Sequence, residues 1–423
     1  MIWIRLFVPC FAAVCLAAGA ADSAVRKNDA GKWELTVGGS PFPVHGVNRM
    51  GFPETAKEIG VNTIRTYSSA SAQAKQEVAE AEKHGFMVIA GLWVTHDGED
   101  AAFYNDPESM AAQRESIRSQ VRALKDSPGL IIWGLGNEAE HPRAGGVNEA
   151  YWRELGELAK IVKEEDPRHP VMNVIAGNAP WKLEALKKYA PEIDIVGINA
   201  YAGAVATEER LKVAGWEKPY ILTEFGPRGP WESPKTEWLA PVEPSAEEKA
   251  AHYLKSFHSV TDDSRQCLGT VAFVWGNKQE ATATWFGMFL ESGEKTPAVD
   301  AMGLAYTGNY PKNRCPRIVN LTCEADRKKV APGTEFRAKV IVDDPENDPL
   351  SCEWKVIAES ADRKEGGAAE KVPPTIDGCF PQGADSAEVT VKAPAKSGAY
   401  RLFLFVRDGK GGATTRNIPF LVE

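Results

Sequence analysis

Two glutamates, Glu138 and Glu224, stand at the ends of short apolar runs far apart in the chain, the first after residues 130–136 and Asn137, the second after Tyr220-Ile221-Leu222-Thr223. Paired carboxyl groups facing one substrate atom can cleave a glycosidic bond: one protonates the leaving oxygen while the other meets the oxocarbenium-like carbon. Double displacement wants the two about 5 to 5.5 Å apart. Other polar or aromatic residues close similar runs: Arg65, Asn137, Asn199, Tyr201 and Trp275. Arg65 and Tyr201, expected beside Glu224, would favour its ionised form and suit it as a nucleophile. Glu138 is then the less stabilised acid, and the base of a second step. Asn137 could hydrogen-bond a sugar 2-hydroxyl, and Trp275 offers a flat face to a pyranose ring.

Each residue also has a plainer reading. A lone Glu at a strand end is ordinarily a surface residue, and only the pairing argues otherwise. Arg65 could merely neutralise a buried carboxylate, Tyr201 could be a core tyrosine with a satisfied hydroxyl, and Trp275 could be barrel packing. Trp93, His96 and Asp97 follow the third run and could line a sugar subsite. Trp231, Trp238 and Trp285 fall on loops after the seventh and eighth runs, where stacking on sugar and loop packing account for them equally well. Glu140 and His141 read as solvated loop.

These residues need elements to aim them. Runs at 44–48, 62–67, 87–94, 130–136, 171–176, 193–200, 220–225 and 269–275 are β-branched or apolar, and each is followed by a helical pattern, at 53–59, 72–84, 107–125, 149–165, 182–189, 208–213, 246–260 and 298–306. In the third helix Met110, Ile117, Val121 and Leu124 recur at near-helical spacing with charged residues between them. Eight βα repeats in about 265 residues predict a closed (β/α)8 TIM barrel, whose active site lies at the carboxyl ends of the strands. An open doubly wound sheet lacks support, because no Gly-rich phosphate turn follows the first strand. Residues 32–43 around Gly38-Gly39 predict a hairpin that plugs the barrel bottom. After Tyr310 helical periodicity disappears, and runs at 336–342, 351–356, 387–391, 400–406 and 414–421 predict an all-β sandwich. The expected division is a signal peptide at 1–20, the barrel with its hairpin at 25–313, and an immunoglobulin-like sandwich at 317–423.

The segment Ile131-Ile132-Trp133-Gly134-Leu135-Gly136-Asn137-Glu138 resembles the Trp-x-x-Gly-Asn-Glu acid/base segment of glycoside hydrolase clan A, particularly family 2, and Leu222-Thr223-Glu224-Phe225-Gly226 is similar to that family's nucleophile strand. The resemblance covers nearly the whole barrel. It implies retention of configuration with Glu138 as acid/base and Glu224 as nucleophile, and it extends to Arg65, Tyr201 and Trp275. Family 2 enzymes usually carry β-sandwich domains before the barrel, and this sequence has almost nothing there, so the resemblance does not transfer substrate choice. The run Val61-Asn62-Thr63-Ile64-Arg65-Thr66-Tyr67 is similar to clan members acting on β-1,3-glucans, including glucanosyltransferases. In the tail, Asp343-Asp344-Pro345-Glu346-Asn347-Asp348-Pro349-Leu350, Trp354 and Val406-Arg407-Asp408-Gly409-Lys410-Gly411-Gly412 resemble polycystic-kidney-disease (PKD) or cadherin-like immunoglobulin modules, which usually act as spacers or adhesion units. The acidic loop could hold Ca2+, although a solvated turn is the better reading.

The 423 residues, 43% hydrophobic and 25% charged, are ordinary globular composition with room for more than one domain. A net charge of -9 gives no electrostatic reason to bind nucleic acid. Arg5, the apolar stretch from Leu6 to Ala18, and Ala18-Gly19-Ala20 read as a secretory signal with a small-x-small cleavage site, and Pro9 before Cys10 and Val14 before Cys15 are poor lipobox residues. No later segment looks membrane-spanning, and the expected location is periplasmic or extracellular. Removing the leader leaves Cys267, Cys315, Cys323, Cys352 and Cys379, an odd set that predicts one or two structural disulfides and a spare thiol. Their spacing suggests no zinc site, and the chemistry requires no metal or cofactor. The expected function is a secreted retaining hydrolase of β-linked oligo- or polysaccharides. A β-glucan transglycosylase would instead pass the sugar to a carbohydrate hydroxyl, and product analysis at high acceptor concentration separates the two. A non-catalytic glycan-binding or adhesion protein would show no turnover at all.

Overall fold

The computed structural model describes residues 21–423 except 71, 99–101, 142–146 and 365–366, so the expected signal peptide lies outside the described residues. Strands β1 (Ser23–Lys27), β2 (Trp33–Val37) and β3 (Ser40–Pro41) form an antiparallel sheet. The β2–β3 turn is Gly38-Gly39, both at positive φ, as a two-residue hairpin of matching twist demands. Leu35 and Val37 bury themselves against Val44, Ile89, Ile131, Met172, Ile195 and Ile221 from barrel strands, so this sheet does plug one end of the barrel.

The barrel alternates β4 (Val44–Asn48), α1 (Pro53–Glu58), β5 (Thr63–Arg65), α2 (Ala72–Lys83), β6 (Met87–Leu92), α3 (Pro107–Leu124), β7 (Leu130–Asn137), α4 (Glu149–Glu165), β8 (Val171–Ala176), α5 (Pro180–Tyr189), β9 (Ile195–Asn199), α6 (Thr207–Val213), β10 (Tyr220–Phe225), α7 (Ala246–Thr261), β11 (Cys267–Ala272) and α8 (Pro297–Thr307). The eight strands β4 to β11 pair in parallel and close where β11 meets β4. They are almost wholly buried because the plug and layered side chains fill the inside while helices cover the outside. Helix starts follow capping chemistry. Asp106 accepts from Glu108 N and Ser109 N before Pro107 opens α3, and Ser245 with Glu248 forms a reciprocal capping box on α7.

Beyond the barrel come β12 (Arg317–Cys323), β13 (Lys329–Val330), β14 (Glu335–Asp343), β15 (Ser351–Ala358), β16 (Glu388–Lys392), β17 (Gly398–Arg407) and β18 (Ala413–Val422). They make two sheets, β12-β14-β16 and β13-β18-β17-β15, around Ile318, Phe336, Val340, Trp354, Leu402, Leu404 and Phe420. Sequence patterning missed β12 and β13. A register shift between Ile318 and Asn320 breaks the alternation of β12, and β13 is only two residues long.

Two expectations about this region resolve differently. The predicted disulfides do not form: all five cysteines described are free thiols. Cys267 lies in a barrel strand, and Cys323 and Cys352 belong to different sheets. The acidic loop is a turn, in which Asp344 Oδ1 accepts from Glu346 N (2.9 Å) and Asp348 N (3.0 Å). Asp343 and Glu346 are engaged by Arg317 and Arg314.

Candidate active site

The carboxyl end of the barrel gathers the polar residues that close its strands. Arg65, last residue of β5 and 2% exposed, donates from Nη1 to Glu224 Oε1 (3.0 Å) and to Thr223 O (3.1 Å), and from Nη2 to Asn137 Oδ1 (2.6 Å). Tyr201 OH donates to Glu224 Oε2 at 3.0 Å, and Tyr67 OH donates to Glu224 Oε1 at 2.8 Å. A guanidinium and two phenols thus converge on one carboxylate, which as an ion can accept all three bonds. Burial pushes both phenol pKa values up, and the Glu224 charge adds to it, so both keep the proton they donate. Tyr67 was not among the residues singled out from sequence. It sits two positions beyond Arg65, whose guanidinium lies 4.5 Å from its ring centroid.

Glu138 has a different setting. Gly136 and Glu138 take positive φ, and the β7–β8 register shifts between Leu135 and Asn137, so the strand end turns the glutamate toward the mouth. Its Oε1 accepts one side-chain bond, from Asn199 Nδ2 at 2.7 Å. Desolvation raises its pKa first, the nearby Glu224 charge second, and the value reaches about 7 despite the Asn199 bond. Asn199 Nδ2 also lies 3.2 Å from Asn137 Oδ1, while Asn199 Oδ1 accepts from Thr223 Oγ1 at 2.8 Å. A continuous chain of polar contacts, Glu138 to Asn199 to Asn137 to Arg65 to Glu224, therefore spans the mouth. Glu140, expected in a solvated loop, is instead 6% exposed and accepts from Lys182 Nζ (2.6 Å) and Ala176 N (2.9 Å). Its charge adds to the rise at Glu138, and that of Lys182 opposes it.

Both glutamates open on one cleft of about 1130 Å³, which Trp93, His96, Tyr201, Trp231 and Trp238 also line. Trp93 is 44% exposed and stacks on His96, and Trp231 is 59% exposed. Asp97 is buried instead and accepts from Asn148 Nδ2. Trp275, expected to stack on sugar, and Trp285, for which stacking and packing were equal readings, both turn out to be packing residues. Trp275 is 2% exposed, packs edge-on against Phe289, and donates Nε1–H to Gly51 O. Trp285 is fully buried and donates to Arg228 O. Phe273 takes the place at the mouth expected of Trp275, beside Tyr201. The reason lies in β11, which ends at Ala272, so the alternation that would aim residue 275 no longer holds.

A parallel eight-stranded barrel carrying two glutamates at the carboxyl ends of its fourth and seventh strands, one gripped by donors and one held partly protonated, belongs with the barrels that work by carboxylate pairs. Residues 53–296, more than half of the chain, match the glycosyl hydrolases family 2, TIM barrel domain, and the chain belongs to that family. It is 26% identical over 190 residues to a beta-glucuronidase of Paenibacillus borealis, covering 40% of this chain and 30% of that protein. It is 26% identical over 129 residues to a mannan endo-1,4-beta-mannosidase F of Aspergillus clavatus, covering 27% and 29% respectively. The chain thus spans less than half the length of these relatives. The crystal structure of Ruminococcus gnavus beta-glucuronidase superposes with a TM-score of 0.53 at 15% identity, covering 69% of this chain and 53% of that one, a likeness of fold.

Proposed function

We propose that this chain is an exported retaining glycoside hydrolase acting on β-linked glycans, with Glu224 as nucleophile and Glu138 as acid/base. The observation that carries the reading is the contrast between the two carboxyl groups, three donors on Glu224 against one donor and a pKa of about 7 on Glu138. In the first step Glu224 attacks the anomeric carbon as that carbon's bond to the leaving oxygen breaks, and Glu138 gives its proton to that oxygen. The glycosyl ester that forms neutralises Glu224 and removes one of the two largest influences holding Glu138 protonated. Glu138 then takes a proton from water, which attacks the same carbon and releases Glu224. Arg65 and Asn199 both donate to Asn137 Oδ1, which supports a role for the Asn137 amide toward the sugar 2-hydroxyl.

Export rests on the leader composition, and the relatives named beta-glucuronidase and mannan endo-1,4-beta-mannosidase support β-linked glycans as the substrate class. We read the C-terminal sandwich as an immunoglobulin-like module of the PKD or cadherin kind. The test is covalent trapping with activated 2-deoxy-2-fluoro-β-glycosides of glucuronic acid, mannose and glucose, followed by peptide mass mapping. A stable adduct on Glu224 supports the assignment, and an adduct on any other carboxylate overturns it.

A further inference from the structure

The barrel alone does not wall the cleft. Past β15 the chain leaves the sandwich, and Glu359, Ser360, Arg363, Lys364, Gly367 and Glu370 line the same cleft as the two catalytic glutamates. A domain that served only as a spacer would have no need to reach the barrel mouth. Here the contact is built in. Glu370 Oε2 accepts from the backbone N–H of Ala281 at 2.8 Å, on the loop after β11. Arg401 of β17, 1% exposed, donates to Glu359 Oε2 (2.7 Å), to Asn417 Oδ1 (2.8 Å) and to Pro241 O (2.7 Å), on the loop after β10. Asn417 in turn donates to Glu243, a buried carboxylate that also accepts from Lys249, Thr282 and Thr284. Pro241 and Ala281 both line the cleft, and one buried polar cluster ties their two barrel loops to Glu359, Arg401 and Asn417 of the sandwich side.

What this wall presents is suited to sugar. Arg363 and Lys364 are exposed; Arg363 also donates to Glu359 and Lys364 to Ala369 O, and each keeps further N–H groups for hydroxyl oxygens, while Trp231 and Trp238 on the loop after β10 supply aromatic surface to the same cleft. The cleft is somewhat larger than the roughly 300–1,000 Å³ of pockets that take a single small ligand. We infer that Arg363 and Lys364, beside the Glu370 anchor, form a distal subsite for a β-linked oligosaccharide, so that the C-terminal sandwich sets the chain length the enzyme prefers. The inference rests on the glycosidase reading above.

The experiment compares wild type with Arg363→Ala/Lys364→Ala and, separately, with Glu370→Ala, which releases the loop from Ala281. Rates are measured on 4-nitrophenyl β-glucuronide, β-mannoside and β-glucoside, and on β-1,3- and β-1,4-linked tetrasaccharides of the sugar that is turned over. The readout is the ratio of kcat/KM for tetrasaccharide to kcat/KM for the 4-nitrophenyl monosaccharide. It should fall about five- to tenfold in both variants through a higher KM for the tetrasaccharide, within the range of one or two lost hydrogen bonds. An unchanged ratio in an active enzyme overturns the subsite and leaves the glycosidase reading intact. A wild type that cleaves none of these glycosides overturns both.

Discussion

Hydrogen-bond donors give two residues of identical chemistry different settings, three donors on Glu224 and one on Glu138. The proposed acid role requires Glu138 to start protonated, and its pKa is raised to about 7, so kcat/KM should fall as pH rises through that value. Glu138→Gln should remove this basic limb along with most of the rate, which a pH–rate profile of both proteins will reveal. Tyr67→Phe keeps the ring beside Arg65 but deletes one bond to the Glu224 carboxylate. Bonds to charged groups contribute about 1.5–3 kcal/mol, so kcat/KM should drop roughly 10- to 100-fold. Steady-state kinetics with the melting temperature as a control will separate this from misfolding. Glu138, Glu224, Arg65, Asn137 and Asn199 were legible in the sequence because each terminates an apolar run, where a barrel puts its working groups. Tyr67 was not, although alternation places residues 65 and 67 on the same side of a continuing strand and could have found it.

At the scale of elements, the eight barrel strands could be read because parallel strands buried on both faces are continuous apolar runs, and their intervening helices keep an amphipathic period. Side-chain direction past a strand end could not be read, so the sequence pointed to Trp275 where Phe273 reaches the mouth. Nor could pairings between elements, such as Glu140 after β7 with Lys182 on α5, since nothing local encodes them. Close approach matters equally. A Cβ on Gly91 of β6 would lie 2.4 Å from the carbonyl carbon of Tyr67 and 2.6 Å from Thr66 O. Gly91→Ala should therefore displace the backbone carrying Tyr67, lowering stability by about 1–3 kcal/mol and depressing kcat as well. Urea unfolding and kinetics on the same preparation will show both losses, and loss of stability alone would mean that the strand moves without disturbing the Glu224 contact.

For the whole molecule, the seam between barrel and sandwich is the feature least visible in the sequence. Neither the tail's resemblance to spacer modules nor its strand pattern announces that Arg401 will donate to a barrel carbonyl. Breaking a buried ion pair by removing one partner costs about 3–5 kcal/mol. Arg401→Ala takes the buried partner from Glu359, leaving it the exposed Arg363, and opens the contact to Pro241, so calorimetry should show a melting temperature several degrees lower, with sandwich and barrel no longer unfolding together. A single unshifted transition would mean that the seam contributes little. The reaction itself is tested most directly by proton NMR of the first-formed sugar, read before mutarotation, when the purified protein hydrolyses a β-glycoside. Attack by Glu224 opposite the leaving group, followed by water on the face that group vacated, predicts the β anomer first, whereas the α anomer appearing first would contradict a covalent glycosyl-enzyme and the roles assigned to both glutamates.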